Sequence, residues 1–185
     1  ISKRANQKLQ MPQIKIFDKI DKNNPVLIAG QTASGKSQIA INIAEKQGGI
    51  IINADAIQVY RNWRILTARP SRVDEAKINH KLYGHIDGTT DYSVGTWLKE
   101  VRDILSSNSR PIIVGGTGLY FSALTNGLVN IPEISEIIRQ EADNRIKKKG
   151  FESLVGEIDE ETLQKIDKNN PVRVQRAWEV LRSTG

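Results

Sequence analysis

The sequence predicts an α/β protein built on a mainly parallel sheet, and three observations carry that expectation. First, Val26-Leu27-Ile28-Ala29, Ile50-Ile51-Ile52 and Ile112-Ile113-Val114 are short apolar runs, as strands buried on both faces require. Second, each run stops at turn-forming residues: Gly30, Asn53-Ala54-Asp55 and Gly115-Gly116. Third, apolar residues recur at helical spacing between the runs. Ile39, Ala40, Ile43 and Ala44 follow the first, and Val94, Trp97, Leu98, Val101, Ile104 and Leu105 precede the third. Strands alternating with helices place the α/β domain over 25–130. Such sheets bind ligands at the carboxyl ends of their strands, where the glycines and Asp55 fall.

Ahead of this domain, residues 1–24 hold six basic and two acidic side chains, with Pro12 interrupting any long helix, and read as a flexible basic leader. Past Ile131 the strand pattern ends and four helices are expected, over 133–148, 151–156, 161–166 and 171–182. Lys147, Lys148 and Lys149 close the first of them, where the helix dipole favours cations. The expected organisation is the leader, the core at 25–130, a small all-helical inserted lobe at 131–170, and a helix at 171–185 returning to the core. Asp-Lys-Asn-Asn-Pro-Val occurs at 21–26 and again at 167–172, but the flanks differ, so it is turn chemistry used twice.

The chain has 185 residues and a formal charge of +6, and it contains no cysteine. Disulfides, thiolate zinc sites, iron–sulfur clusters and a cysteine nucleophile are therefore excluded. No apolar run reaches the roughly 20 residues of a membrane span, and no secretory signal opens the chain, so a cytoplasmic protein with no membrane association is expected. Residues 25–132 carry eleven basic and eight acidic groups and 133–185 carry ten and eleven, so more than half of the net charge lies in the leader.

Gly30-Gln31-Thr32-Ala33-Ser34-Gly35-Lys36-Ser37 fits the P-loop pattern G-x-x-x-x-G-K-[ST], between an apolar strand and a helical pattern. The glycines let the backbone curl around a phosphate, Lys36 adds a point charge, and the Ser37 hydroxyl can ligate Mg²⁺. The fold class is thus a P-loop NTPase-like parallel sheet flanked by helices. Whether the phosphates belong to a nucleotide or another diphosphate stays open. The run 112–114 ends in glycines and offers no metal-associated aspartate, whereas 50–52 offers Asp55. Asp55 can be a metal-shell residue, a general base or a capping residue.

Four blocks, GQTASGKS at 30–37, INADAIQVYRNWRILTARPS at 52–71, PIIVGGTGLYFSAL at 111–124 and NPVRVQRAWEVLRSTG at 170–185, together resemble the tRNA dimethylallyltransferases. That family transfers a prenyl group from dimethylallyl diphosphate to the exocyclic amine of the adenosine on the 3′ side of the anticodon. The resemblance implies that Gly30 to Ser37 (Gly30, Gln31, Thr32, Ala33, Ser34, Gly35, Lys36, Ser37) hold the diphosphate, with Ser37 on Mg²⁺. It implies that Asp55 is the base and that Asp55, Ala56, Ile57 and Gln58 contact the flipped-out nucleotide. Thr117 would sit by the leaving group and the transferred chain, and Arg139 would face the diphosphate or the tRNA. Val172, Arg173, Val174, Gln175 and Arg176 would meet the tRNA backbone. The pattern usually has serine at Ala56 and often proline at Gln31; neither change removes a charge or a ligand. Family members continue past the final Thr-Gly with more helices, so a truncated chain is expected, acting as a monomer. The rival readings are an ATP-binding small-molecule or nucleotide kinase and a non-catalytic tRNA-binding remnant.

Other residues divide between chemistry and packing. Arg61, Arg64, Arg69 and Arg72, with Thr67 and Ser71, read either as a phosphate-contact strip or as a solvated loop. His80 and His85 suit structural or substrate-adjacent roles better than metal binding. Tyr60 and Trp63 are candidates to replace the stacking of an extracted base, or packing residues. Trp97 reads as core, and Trp178 as core or as the face that meets further helices.

Overall fold

The computed structural model describes residues 19–107, 109–129, 131 and 133–185. The leader up to Asp18 therefore lies outside the described residues, as do Asn108, Asn130 and Pro132. The chain divides into two compact units, Ile1–Leu128 and Val129–Gly185.

The first unit holds a four-stranded, all-parallel sheet in the order β1-β4-β2-β3. Its strands are β1 Val26–Ala29, β2 Ile50–Asn53, β3 His80–Lys81 and β4 Pro111–Gly115. The two central strands, β2 and β4, are buried along their whole length. The two-residue alternation of a strand sorts their side chains onto opposite faces. Ile50, Ile52 and Ile113 pack with Trp97, Leu98 and Val101 of α3 (Val94–Leu105) and with Tyr120 and Ala123 of α4 (Gly118–Asn126). Ile51, Ile112 and Val114 pack on the other face against Ala40, Ile41, Ile43 and Ala44 of α1 (Lys36–Gln47). The continuous apolar runs are thus two-faced cores, which is why they carry no polar alternation. Trp97 and Tyr120 stack with ring centroids 4.4 Å apart. Residues 19–24 are held in part by Arg110, whose guanidinium donates to the carbonyls of Asn24 and Asp21, each at 2.8 Å.

Four elements have no counterpart in the hydrophobic pattern: the 3₁₀ turn Arg61–Trp63, α2 (Arg72–Lys77), β3 and α4. Six residues of α2 are too few to show a period, and a capping box holds its start, with Ser71 and Asp74 satisfying each other's backbone N–H. β3 has two residues and is recruited by its register against Ile51 and Ile52.

The second unit is helical: α5 Glu136–Lys149, α6 Glu152–Val155, α7 Glu160–Lys165 and α8 Pro171–Thr184. Ser135, Asp159 and Asn170 cap α5, α7 and α8, and Pro171 takes the first turn of α8, where its missing N–H costs nothing. Ala142, Leu154, Ile158, Val174 and Trp178 form its core. The buried face of α8, Val174 and Trp178, packs within this helical cluster. The Trp178 indole N–H donates to Glu157 at 2.8 Å, and the guanidiniums of Arg145 and Arg182 each lie 5.3 Å from its ring centroid. Among the described residues no helix is long and apolar enough to cross a membrane.

Candidate active site

The loop after β1 carries the phosphate chemistry. Gly35, directly before α1, has φ +83°, and Ala33 has φ +61°. A left-handed residue next to a helix start is the backbone geometry of an anion nest, and at a residue with a Cβ it costs about 1–2 kcal/mol. The turn closes through Ser34 N–H donating to the Gln31 carbonyl at 3.3 Å, and the Lys36 ammonium donates to the same carbonyl. The Ser37 side chain, in the first turn of α1, is exposed.

Asp55 follows the end of β2. Its Oδ1 accepts from the backbone N–H groups of Ile57, at 3.0 Å, and Gln58, at 3.4 Å, an Asx-type turn that orients the carboxylate and leaves Oδ2 uncommitted among the described residues. Asn53, fully buried, braces this turn. Its Oδ1 accepts from Asp55 N–H at 2.9 Å, and its Nδ2 donates to the carbonyls of Asp55 at 2.9 Å and Leu82 at 3.0 Å. The Trp97 indole N–H donates to the Asn53 carbonyl at 2.7 Å. Thr117 closes the other side: its Oγ1 accepts from Ala56 N–H at 2.9 Å, and its own N–H donates to the Ala54 carbonyl at 3.2 Å. This approach requires glycine at 115, because a Cβ there would lie 2.0 Å from the Ala54 carbonyl oxygen.

The P-loop and Asp55 share one cavity of about 490 Å³, bounded by Thr32 to Gln38, Asp55, Ile57, Gln58, Leu66 to Ala68, Tyr83, Val114 and Gly115. The P-loop and Asp55 are therefore brought together at the carboxyl edge of the sheet. Gln58 lines the cavity with its side chain tied to the Thr67 carbonyl at 2.8 Å, and Ile57 is exposed. Tyr83 is a lining residue that sequence patterns do not single out. Burial raises its phenol well above the ordinary range, with the negative charges of Asp55 and Glu75 adding to the effect. Tyr120 is pushed up to about 12, again first by burial. Both phenols are therefore neutral donors at physiological pH.

No group of three His, Cys, Asp or Glu side chains that could hold a metal occurs among the described residues. The donor set that remains, a serine hydroxyl beside a phosphate cradle, fits Mg²⁺, which keeps several waters and binds chiefly through substrate phosphates. His80 Nδ1 bonds to the Ile78 carbonyl at 2.8 Å, and His85 Nε2 bonds to Glu100 at 3.1 Å. Tyr60 and Trp63 pack edge to face at 5.2 Å.

The arginine strip splits. Arg64 pairs with Glu75 at 2.5 Å, and Arg69, its side chain 7% exposed, reaches the same carboxylate at 3.8 Å and the Tyr60 carbonyl at 3.2 Å. Desolvation lowers the Arg69 pKa, and the Arg64 charge lowers it further. These two arginines hold the 60–75 segment together, whereas Arg61 and Arg72 are exposed. In the second unit Arg139 is exposed on α5. Val172, Arg173 and Arg176 are exposed on α8, Gln175 bonds to Asp143 and Glu179, and Val174 is wholly buried, so its side chain packs rather than faces a ligand.

Comparison with known proteins decides the family. The family model described as IPP transferase matches residues 58–185, and that described as isopentenyl transferase matches residues 24–86, which include the P-loop and Asp55. The chain belongs to the IPP transferase family. A tRNA dimethylallyltransferase from Cereibacter sphaeroides is 57% identical over 166 residues, covering 90% of this chain and 53% of the relative. One from Ruegeria sp. is 55% identical over 169 residues, covering 91% and 57%. The chain spans about half the length of these curated relatives. Among solved structures, a eukaryotic dimethylallyltransferase acting on tRNA matches with a TM-score of 0.66 and 28% identity, over 85% of this chain and 41% of that one. The full-length tRNA isopentenylpyrophosphate transferase of Bacillus halodurans matches at 0.55 and 30% identity, over 88% and 56%. The expected P-loop NTPase-like sheet with flanking helices is the fold found. From the sequence blocks, the structure brings residues of 30–37, 53–58 and 114–117 to the carboxyl end of the sheet, although 61 positions separate Ala56 from Thr117.

Proposed function

We propose that the chain carries the catalytic core of a tRNA dimethylallyltransferase. The P-loop holds the diphosphate of dimethylallyl diphosphate, and the exocyclic amine of the adenosine on the 3′ side of the anticodon attacks the allylic carbon. The carbon–nitrogen bond forms as the carbon–oxygen bond to diphosphate breaks; the amine proton passes to Asp55 and diphosphate leaves. The observation that carries this reading is the shared cavity, in which a phosphate cradle and a carboxylate with one uncommitted oxygen face the same space.

Each residue has a physical task. Lys36 and the nest of amides offset the negative charge that develops on the departing oxygens. The Asx turn and Asn53 keep Asp55 oriented, so that the proton transfer needs no rearrangement. The Thr117 hydroxyl, an acceptor for Ala56 N–H, keeps its proton available to a leaving-group oxygen. Ser37 would hold Mg²⁺ together with the diphosphate, and the ion would supply further charge neutralisation. Val114, buried, gives the cavity an apolar wall at the end of β4. Arg139, Val172, Arg173, Gln175 and Arg176 are assigned to the tRNA backbone, and the protein acts as a cytoplasmic monomer.

The test incubates the chain, and a version extended to the length of its relatives, with dimethylallyl diphosphate, Mg²⁺ and unmodified tRNA. Mass spectrometry then reads prenylated adenosine. Product that forms with the extended protein and is lost in Asp55→Ala supports the reading. Unchanged product in Asp55→Ala removes Asp55 as the base, and no product from the extended protein overturns the assignment.

A further inference from the structure

The cavity is lined by a tyrosine that the reaction above does not use. Tyr83 lines it together with the P-loop and Asp55, and its side chain packs against the cluster formed by α1 and the sheet. Its hydroxyl makes no hydrogen bond to any described residue, while the ring is fixed edge to face on His80 at 5.5 Å. The phenol is half-buried on the cavity wall and stays protonated, so its hydroxyl has a proton to give to whatever occupies the cavity.

The backbone around it is built to hold this side chain in place. Leu82 has φ +62° and Gly84 has φ +56°, so left-handed residues flank Tyr83 on both sides. A leucine in that conformation is strained, and it persists because neighbours over-determine it. Asn53 Nδ2 grips the Leu82 carbonyl at 3.0 Å, and Gly84 N–H donates to the Gln58 carbonyl at 2.9 Å. At Gly84 the left-handed φ disfavours any residue with a Cβ, and a Cβ there would also lie 1.8 Å from the Arg69 guanidinium, which would have to move. Asn53, which braces Asp55, and Gln58, which lines the cavity, thus also hold the backbone on either side of Tyr83.

We infer that Tyr83 is a ligand-binding residue of this cavity, whose hydroxyl donates a hydrogen bond to an anionic oxygen of the diphosphate held by the P-loop. The inference rests on the diphosphate-binding reading and adds a donor to it. A phenol kept protonated can serve an anionic oxygen as a donor, and in the same cavity as Lys36 it adds direction to a charge that has none of its own.

The experiment measures binding of inorganic pyrophosphate, with Mg²⁺, to the wild-type chain and to Tyr83→Phe and Lys36→Ala by isothermal calorimetry, and records the thermal melt of each. Tyr83→Phe keeps the ring and removes only the hydroxyl. The expected result is affinity about tenfold weaker with an unchanged melting temperature, the size of one hydrogen bond to a charged acceptor. Wild-type affinity in Tyr83→Phe, alongside loss in Lys36→Ala, overturns the role of Tyr83 and leaves the P-loop reading standing. A lowered melting temperature in Tyr83→Phe also overturns it, because the hydroxyl then has a structural partner. If pyrophosphate fails to bind the wild type, or binds Lys36→Ala equally well, the diphosphate reading itself falls.

Discussion

Asn53→Ala probes the link between the fold and the site most directly. The substitution deletes a fully buried amide and three hydrogen bonds of 2.9, 2.9 and 3.0 Å. It leaves the Asp55 N–H, the Asp55 carbonyl and the Leu82 carbonyl without their partner in a region where water has little entry. At about 1 kcal/mol for each bond lost, and more for each group left unsatisfied, the cost is about 3 kcal/mol. The β2 strand and its neighbours open together, so the loss is read locally by hydrogen exchange at the amides of Ile51, Ile52 and Asn53. Exchange there is expected to accelerate about a hundredfold, at 1.4 kcal/mol per tenfold. Asn53→Asp keeps one acceptor but loses both donations and adds a buried negative charge beside Asp55, so it is expected to be at least as damaging. Exchange within a factor of about five of wild type for Asn53→Ala, under 1 kcal/mol, refutes the claim that this amide holds the Asp55 turn.

Other substitutions test separate joints. Gly115→Ala drives a methyl group to within 2.0 Å of the Ala54 carbonyl oxygen, so β4 and the 53–56 segment must part; a loss of about 3 kcal/mol is expected, seen as a lowered urea midpoint. Unchanged stability there contradicts the close approach. Glu75→Gln removes the shared partner of Arg64 and Arg69 and leaves the Arg69 guanidinium buried without its counter-ion, for an expected loss of about 2 kcal/mol by thermal melting. In the helical unit, the Arg145 hydrogen bond and the Trp178 indole N–H hold the Glu157 carboxyl down to about 2. Its folded-state pKa lies below the unfolded value, so the stability it adds is present above about pH 4.5 and is lost as the pH falls toward 2. The Trp178 emission melt should therefore fall over that window in wild type and fall less steeply in Glu157→Gln. Tyr120 behaves in the opposite sense: with its phenol raised to about 12, stability drops as the pH climbs from about 10 toward 12, and Tyr120→Phe should flatten that limb.

The elements legible in the sequence were those whose information is contiguous. β1, β2 and β4 are unbroken apolar runs, α1 and α3 repeat at helical spacing, and the helices of the second unit start at cap residues within a few positions of where caps and Pro171 place them. The P-loop is legible for the same reason, since its eight residues and their strand-turn-helix setting are all local. What escaped was either short or long-range. α2 and β3 are too brief to show a period. The arginines between 61 and 72 look alike in sequence, and only the fold shows that two of them face Glu75 while two are exposed.

By itself, then, the order of residues determined the chemistry available to this protein: a phosphate-binding loop, one aspartate after the second long apolar run, no thiols, and blocks matching a tRNA-modifying family. The tertiary structure decided how those groups are held. Asn53 and Leu82, Trp97 and Asn53, Ala56 and Thr117 are 29, 44 and 61 positions apart, yet each pair is joined by a hydrogen bond of 3.0 Å or less. Such contacts exist because parallel pairing of β2 with β3 and β4 stacks the strand ends at one edge of the sheet. A pattern of nearest neighbours carries no trace of that pairing, since the side chains that meet there are chosen by register across strands and not by spacing along the chain.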